Sequence, residues 1–116
     1  MTPELNIYQE DKPWGNFRRF THNVPSTVKI ITVKAGESIS LQSHKDRSEF
    51  WKIIAGLGTV EIDGIVHEAK LGDEFMIPVG AKHRLSGQTD VQILEVAFGD
   101  FAENDITRYD DKYGRA

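Results

Sequence analysis

The chain has 116 residues, of which 39% are hydrophobic and 28% charged, with a formal net charge of −4. That length fits one domain around one core, and the acidic balance argues against nucleic-acid binding through a basic surface. Cysteine is absent, which excludes a disulfide framework or a thiolate metal site and fits a cytoplasmic protein.

The first stretch, MTPELNIYQEDKPWG, has no apolar segment and carries Glu4, Glu10 and Asp11. Neither a secretory leader nor a membrane span is expected there. Short apolar or alternating runs then follow one another. They predict strands at Asn16–Thr21, Val28–Val33, Ser38–His44, Glu49–Ala55, Gly58–Ile62, Ile65–Glu68, Glu74–Ile77, His83–Ser86 and Val91–Phe98. These runs are rich in Val, Ile, Phe, Trp and Thr, which suit a pleated surface. Gly, Pro, Asp and Asn separate them, and IDGIV predicts a tight hairpin because Asp-Gly accepts positive φ angles. No stretch keeps a 3.6-residue apolar period, so the fold expected is an all-β sandwich or barrel. Residues 103–116 are polar, with Ile106, Tyr109 and Tyr113 as apolar points, and predict a short helix or an irregular tail. The whole chain is expected to form one domain, with a barrel over about 12–100 and a tail over 101–116.

Within LQSHKDRSEFWKIIAG the side-chain directions matter. Gln42 and His44 share one face of a strand, and the turn KDRS brings Glu49 back beside them. Amide, imidazole and carboxylate donors converging from neighbouring strands suit a divalent metal: zinc foremost, with iron, manganese, nickel or cobalt as alternatives. A further donor, His83, opens a strand in GDEFMIPVGAKHR. His22 and His67 match no such pattern and are expected to be exposed polar residues.

The two stretches read G-x5-Q-x-H-x4-E-x6-G from Gly36 to Gly56 and G-x5-P-x-G-x2-H from Gly72 to His83. Together they resemble the paired motifs of the cupin superfamily, with Gln42 where many cupins have a histidine. The resemblance implies a jelly-roll β-barrel, or double-stranded β-helix, and a metal held by Gln42, His44, Glu49 and His83. KPWGNF at 12–17, VKAGESISLQSHKDRSEFW at 33–51, IPVGAKHRLSG at 77–87 and DITRYDDKYGR at 105–115 extend the likeness. They resemble the cupin domain of type II mannose-6-phosphate isomerases, in which Gln rather than His fits the first ligand position. That family's domain usually forms the C-terminal part of a bifunctional enzyme with a mannose-1-phosphate guanylyltransferase.

The resemblance implies interconversion of mannose 6-phosphate and fructose 6-phosphate through a cis-enediol, with a metal-stabilised oxyanion and a general base. A sugar phosphate is the expected small-molecule partner, polysaccharide biosynthesis the expected setting, and a homodimer the expected assembly. Candidate catalytic residues are Glu95, Lys29 and Arg84; candidate phosphate-binding residues are Arg47, Arg84 and Arg108. Lys29 and Glu95 are lone charges in apolar strands, which either face solvent or line a pocket. Two positions depart from the family pattern. Ile30 stands where an arginine is common in VKRI, and Ser86-Gly87 replace the Glu-Asn of HRLEN. Both departures are expected to remove polar groups from the mouth of the barrel. The competing readings are an iron-dependent oxygenase on His44, Glu49 and His83, and a non-catalytic cupin that binds a sugar or nucleotide-sugar.

Overall fold

The computed structural model describes residues 7–116, so the reading of residues 1–6 lies outside the described residues. Eleven strands and no helix occur among the described residues. They are β1 (Tyr8–Lys12), β2 (Gly15–Arg19), β3 (Ser26–Val33), β4 (Leu41–Ser43), β5 (Ser48–Ala55), β6 (Gly58–Ile62), β7 (Ile65–Ala69), β8 (Glu74–Ile77), β9 (His83–Gly87), β10 (Val91–Phe98) and β11 (Thr107–Asp110). A two-stranded sheet pairs β1 with β2, and two larger sheets have the orders β3-β10-β5-β8 and β11-β4-β9-β6-β7, all pairs antiparallel. Their inner faces enclose Val33, Trp51, Ile53, Val60, Ile77, Leu85, Val91 and Ile93. This is the cupin-type jelly roll.

The alternation of each strand decides what the barrel contains. Inward positions run Glu49, Trp51, Ile53 along β5 and Ala97, Glu95, Ile93 along β10, with Ala97 opposite Glu49 and Ile93 opposite Ile53. On β3, Lys29 lies opposite Glu95 and Val33 opposite Val91. On β9, His83 precedes the core residue Leu85. Strand after strand therefore changes from apolar to polar at the same end, and the barrel has a dry core and a polar mouth.

The outward face of β5 explains the doubly apolar run FWKII. Phe50 points away from the core yet is 1% exposed, because Phe20 beyond β2 covers it at 4.8 Å between ring centroids. Burying such a ring contributes about 1.5–3 kcal/mol. The Phe50 position on the second apolar face is thus covered by the chain's own Phe20, just after the β1–β2 hairpin. Arg18 on β2 ties the hairpin to Glu74 on β8 with paired bonds of 2.5 and 3.0 Å.

The Asp-Gly hairpin forms as expected: Ile62 pairs with Ile65, and Asp63 and Gly64 have φ of 48° and 82°. Two expectations fail. The segment predicted as Ser38–His44 is regular only at Leu41–Ser43, with Ser38 bridging Ser86 in isolation. The tail is not a helix or an irregular coil throughout, because β11 pairs with β4 and completes a sheet.

Both departures from the family pattern fall away from the mouth. Ile30 projects from the outer face of β3 and is 62% exposed. Gly87 ends β9 on the side remote from His83. A β-carbon there would meet the carbonyl oxygens of Lys34 and Thr89 at 2.7 and 2.8 Å, so the local chain path requires glycine.

Candidate metal centre

Ligand-type atoms of His44, Glu49 and His83 all lie within 4.8 Å of one another, and all three residues are buried. Glu49 comes from β5, His83 from the start of β9, and His44 from the turn just after β4. His83 Nε2 is 3.2 Å and His44 Nε2 3.7 Å from Glu49 Oε1. Adjacent donors around a transition metal with bonds of about 2.0–2.2 Å stand about 3 Å or slightly more apart. The spacing therefore fits one ion.

The histidine tautomers follow from hydrogen bonding. His44 Nδ1 meets the Asp105 carbonyl oxygen at 2.7 Å, and His83 Nδ1 meets that of Ala81 at 2.9 Å. A carbonyl only accepts, so each Nδ1 carries the proton and each Nε2 presents a lone pair. Glu49 Oε1 and His83 Nε2 are buried without a hydrogen-bond partner, since their approach is off the bonding axis. Orphaned acceptors facing each other are costly unless a cation sits between them. The donor set of two imidazoles and a carboxylate fits a divalent transition metal.

Arg47 and Trp51 brace the set. Arg47 donates from Nε to Glu49 Oε2 at 3.3 Å, and its Nη2 lies 3.3 Å from His44 Nε2. Trp51 donates from Nε1 to Glu95 Oε1 at 3.1 Å and meets the His83 ring edge-on at 5.4 Å. Burial and the Glu49 charge push the Glu95 carboxyl up to about 8. Burial works to raise Glu49 as well, but the close approach of His83, the neighbouring Glu95 and the charge of His44 hold it down at about 2. The two carboxyls thus share one negative charge, carried on Glu49, and Glu95 keeps a proton at neutral pH. Burial lowers the His44 imidazole, against the pull of Glu49.

The remaining sequence candidates separate. Gln42 lies directly opposite His83 across the β4–β9 pair and so shares its face, and its Oε1 accepts from Ser40 Oγ at 3.0 Å. Arg108 pairs with Gln42 from β11 and is half-buried, its Nε without a partner. Lys29 and Glu95 both point inward, Glu95 buried and Lys29 with its side chain 35% exposed. Arg84 departs from its expected role: it points away from His83 across β9, and its Nη2 binds Asp110 at 3.0 Å on the outer side. His22 and His67 are exposed, as expected. Sequence reasoning missed Asp105, whose carbonyl holds His44 and whose carboxylate accepts from the amides of Lys45 and Asp46 at 2.8 and 2.9 Å. It also missed Phe101, which packs on Lys29 and Arg47. Only the likeness of DITRYDDKYGR gave any signal for this segment.

Among the described residues no helix is long and apolar enough to cross a membrane. The family described as mannose-6-phosphate isomerase C-terminal matches residues 4–111. A mannose-1-phosphate guanylyltransferase of Salmonella montevideo is 41% identical over 107 residues, covering 90% of this chain and 23% of the relative. The alginate biosynthesis protein AlgA of Pseudomonas putida is 37% identical, covering 96% of this chain and 23% of the relative. The chain therefore spans less than a quarter of the length of these curated relatives. A salicylate 1,2-dioxygenase from Pseudaminobacter salicylatoxidans superposes with a TM-score of 0.61 at 18% identity, over 63% of this chain and 21% of that one, a likeness of fold alone.

These relatives overturn the expected activity. They are named for guanylyl transfer to mannose 1-phosphate and for alginate synthesis, and the likeness reaches only one short part of each. The assignment as a mannose 6-phosphate–fructose 6-phosphate isomerase is accordingly withdrawn. The readings as an iron oxygenase or a non-catalytic sugar binder are not favoured either. The relatives are enzymes and proteins of carbohydrate and polysaccharide biosynthesis, and the chain belongs to the mannose-6-phosphate isomerase C-terminal family.

Proposed function

We propose that the barrel is a metal-dependent enzyme module of polysaccharide-precursor biosynthesis, acting on a sugar phosphate in the cytoplasm beside guanylyl transfer to mannose 1-phosphate. The observation that carries the reading is the buried, unpartnered pair Glu49 Oε1 and His83 Nε2, facing each other 3.2 Å apart. His44, Glu49 and His83 would hold the ion, and Gln42, oriented by Ser40, is the fourth donor. Zinc is the first choice for two imidazoles with oxygen donors, with manganese, iron, nickel or cobalt as alternatives.

A bound divalent ion supplies Lewis-acid polarisation of a substrate oxygen. The chain's own residues do the rest. Trp51 fixes the Glu95 carboxyl, which holds a proton at the mouth and can give it to a substrate oxygen or take it back. Arg47 orients Glu49 through its 3.3 Å contact with Oε2. The dry core beneath Trp51 keeps bulk water from the cluster's inner side. The names of the relatives support the biosynthetic setting.

The test is metal-dependent turnover. Sugar phosphates, mannose 1-phosphate included, are incubated with metal-loaded and chelator-treated protein and followed by phosphorus NMR. A new phosphorus resonance that appears only with metal, and is lost in Glu95→Gln, is the expected result. No metal-dependent change with any of them would contradict the enzymatic reading.

A further inference from the structure

β3 is an edge strand without the usual protection. Sheet edges are kept from pairing with other chains by short length, bulges, proline or charge. The edge strands β8 and β11 have four residues each, and β11 is bulged against β4. The edge strand β7 carries His67 and Glu68. β3 instead runs for eight residues in unbroken register with β10, and it contains no proline. Among the described residues no backbone group pairs with its other side.

The outer face of β3 is apolar and uncovered. Ser26, Val28, Ile30 and Thr32 alternate outward, and Val28 and Ile30 are each 62% exposed. Val96 and Phe50, the next positions along the row that starts at Val28, are both buried. The chain's own cover therefore stops one strand short of the edge. The one charge of the strand, Lys29, points inward, toward Phe101 and Glu103. Ile30 stands where the family pattern has an arginine, which would charge this face. Across a two-fold pairing of the edge, arginine would bring like charges together, whereas isoleucine adds apolar area and no charge.

We propose that the β3 edge is the interface of a homodimer, in which β3 pairs antiparallel with β3 of a second copy and continues the β3-β10-β5-β8 sheet. A two-fold axis normal to the sheet keeps both outer faces on one side, so outward residues meet only outward residues. Of the registers nearest the centre of the strand, one sets Lys29 against Lys29 of the partner subunit, and like charges directly opposite are destabilising. The other sets Ile30 against Ile30 of the partner subunit, with Val28 against Thr32 and Lys29 against Ile31. The second register is selected. A second copy is the occupant because the strand is complementary to itself there, neutral face beside neutral face and apolar against apolar at the centre. Ile30 is thus a residue of assembly rather than of the mouth.

Sedimentation velocity over a dilution series tests this on the whole chain. The wild type is expected to dimerise at concentrations up to about 100 μM. Ile30→Arg, which restores the common family residue at an exposed site, is expected to keep the β-sheet circular dichroism spectrum and to weaken dimerisation at least about tenfold. The chain has no cysteine, so Ile30→Cys carries a single thiol. A short bismaleimide is expected to cross-link it into dimers, and to leave Leu71→Cys, at a 70% exposed position outside β3, largely monomeric. None of these readouts needs a metal, so they stand or fall apart from the catalytic reading. A monomer throughout the series, a dimer that Ile30→Arg leaves intact, or cross-linking of Ile30→Cys no greater than that of Leu71→Cys overturns the proposal.

Discussion

His44 donates from Nδ1 to the backbone carbonyl of Asp105 at 2.7 Å, across 61 positions of sequence. The segment after β10 is therefore part of the candidate metal centre and not an appendage, because it fixes which imidazole nitrogen faces Glu49. The Asp105 carboxylate, bound to two amides in the His44 turn, fixes that carbonyl in turn. Asp105→Ala is expected to weaken metal binding about tenfold or more, as loss of an outer-shell partner does. Competition against a chromophoric chelator measures it, and unchanged affinity would show that the segment does not orient the ligand.

Glu95 gives the metal-free protein a pH dependence of defined sign. Its folded carboxyl titrates at about 8, above its ordinary 4.5. The protonated form is the one the barrel prefers. That contribution is complete below pH 4.5 and is lost as pH rises through 8. Glu95→Gln stays neutral and still accepts from Trp51. Relative to this variant, chelator-treated wild type is expected to lose a few kcal/mol over that window. Parallel melting profiles for the two proteins would refute the shared-charge description.

Gly87 is dictated by three carbonyl oxygens within 3.0 Å of where a β-carbon would stand. Gly87→Asn, which restores the common family residue, is expected to destabilise the fold by about 1–3 kcal/mol. Chemical denaturation reads this directly. A variant as stable as the wild type would mean that β9 can shift.

Arg84→Ala should leave metal stoichiometry unchanged, because its guanidinium meets Asp110 on the outer side of the sheet. An exposed pair of this kind contributes about 0–1 kcal/mol to stability. A large loss of metal would place Arg84 at the mouth after all.

The sequence was legible where local chemistry sets the structure. β6, β8 and β10 fall at the predicted residues because glycine, proline and aspartate bound their apolar runs. His44, Glu49 and His83 come together because strand alternation and the intervening turns dictate it. β1 was invisible: its sequence YQEDK has no apolar alternation, and its existence depends on pairing with β2. β11 was invisible for the same reason, since TRYD gains its order from β4 far earlier in the chain. Strand alternation alone turns Arg84, next to His83 in sequence, to the opposite face, and the Asp110 contact bears that direction out. Phe101 and Asp105 act through contacts more than 50 residues distant, which no local pattern records.

Metal stoichiometry tests the central claim most directly. Purified protein is loaded with zinc, manganese, cobalt, nickel or iron(II), freed of excess, and assayed for bound metal by elemental analysis, alongside His44→Ala and His83→Ala. The predicted result is one equivalent per wild-type chain with at least one of these ions, and its loss in both variants with the fold retained. Full retention of metal in both variants, or no stoichiometric binding by the wild type, would contradict the account.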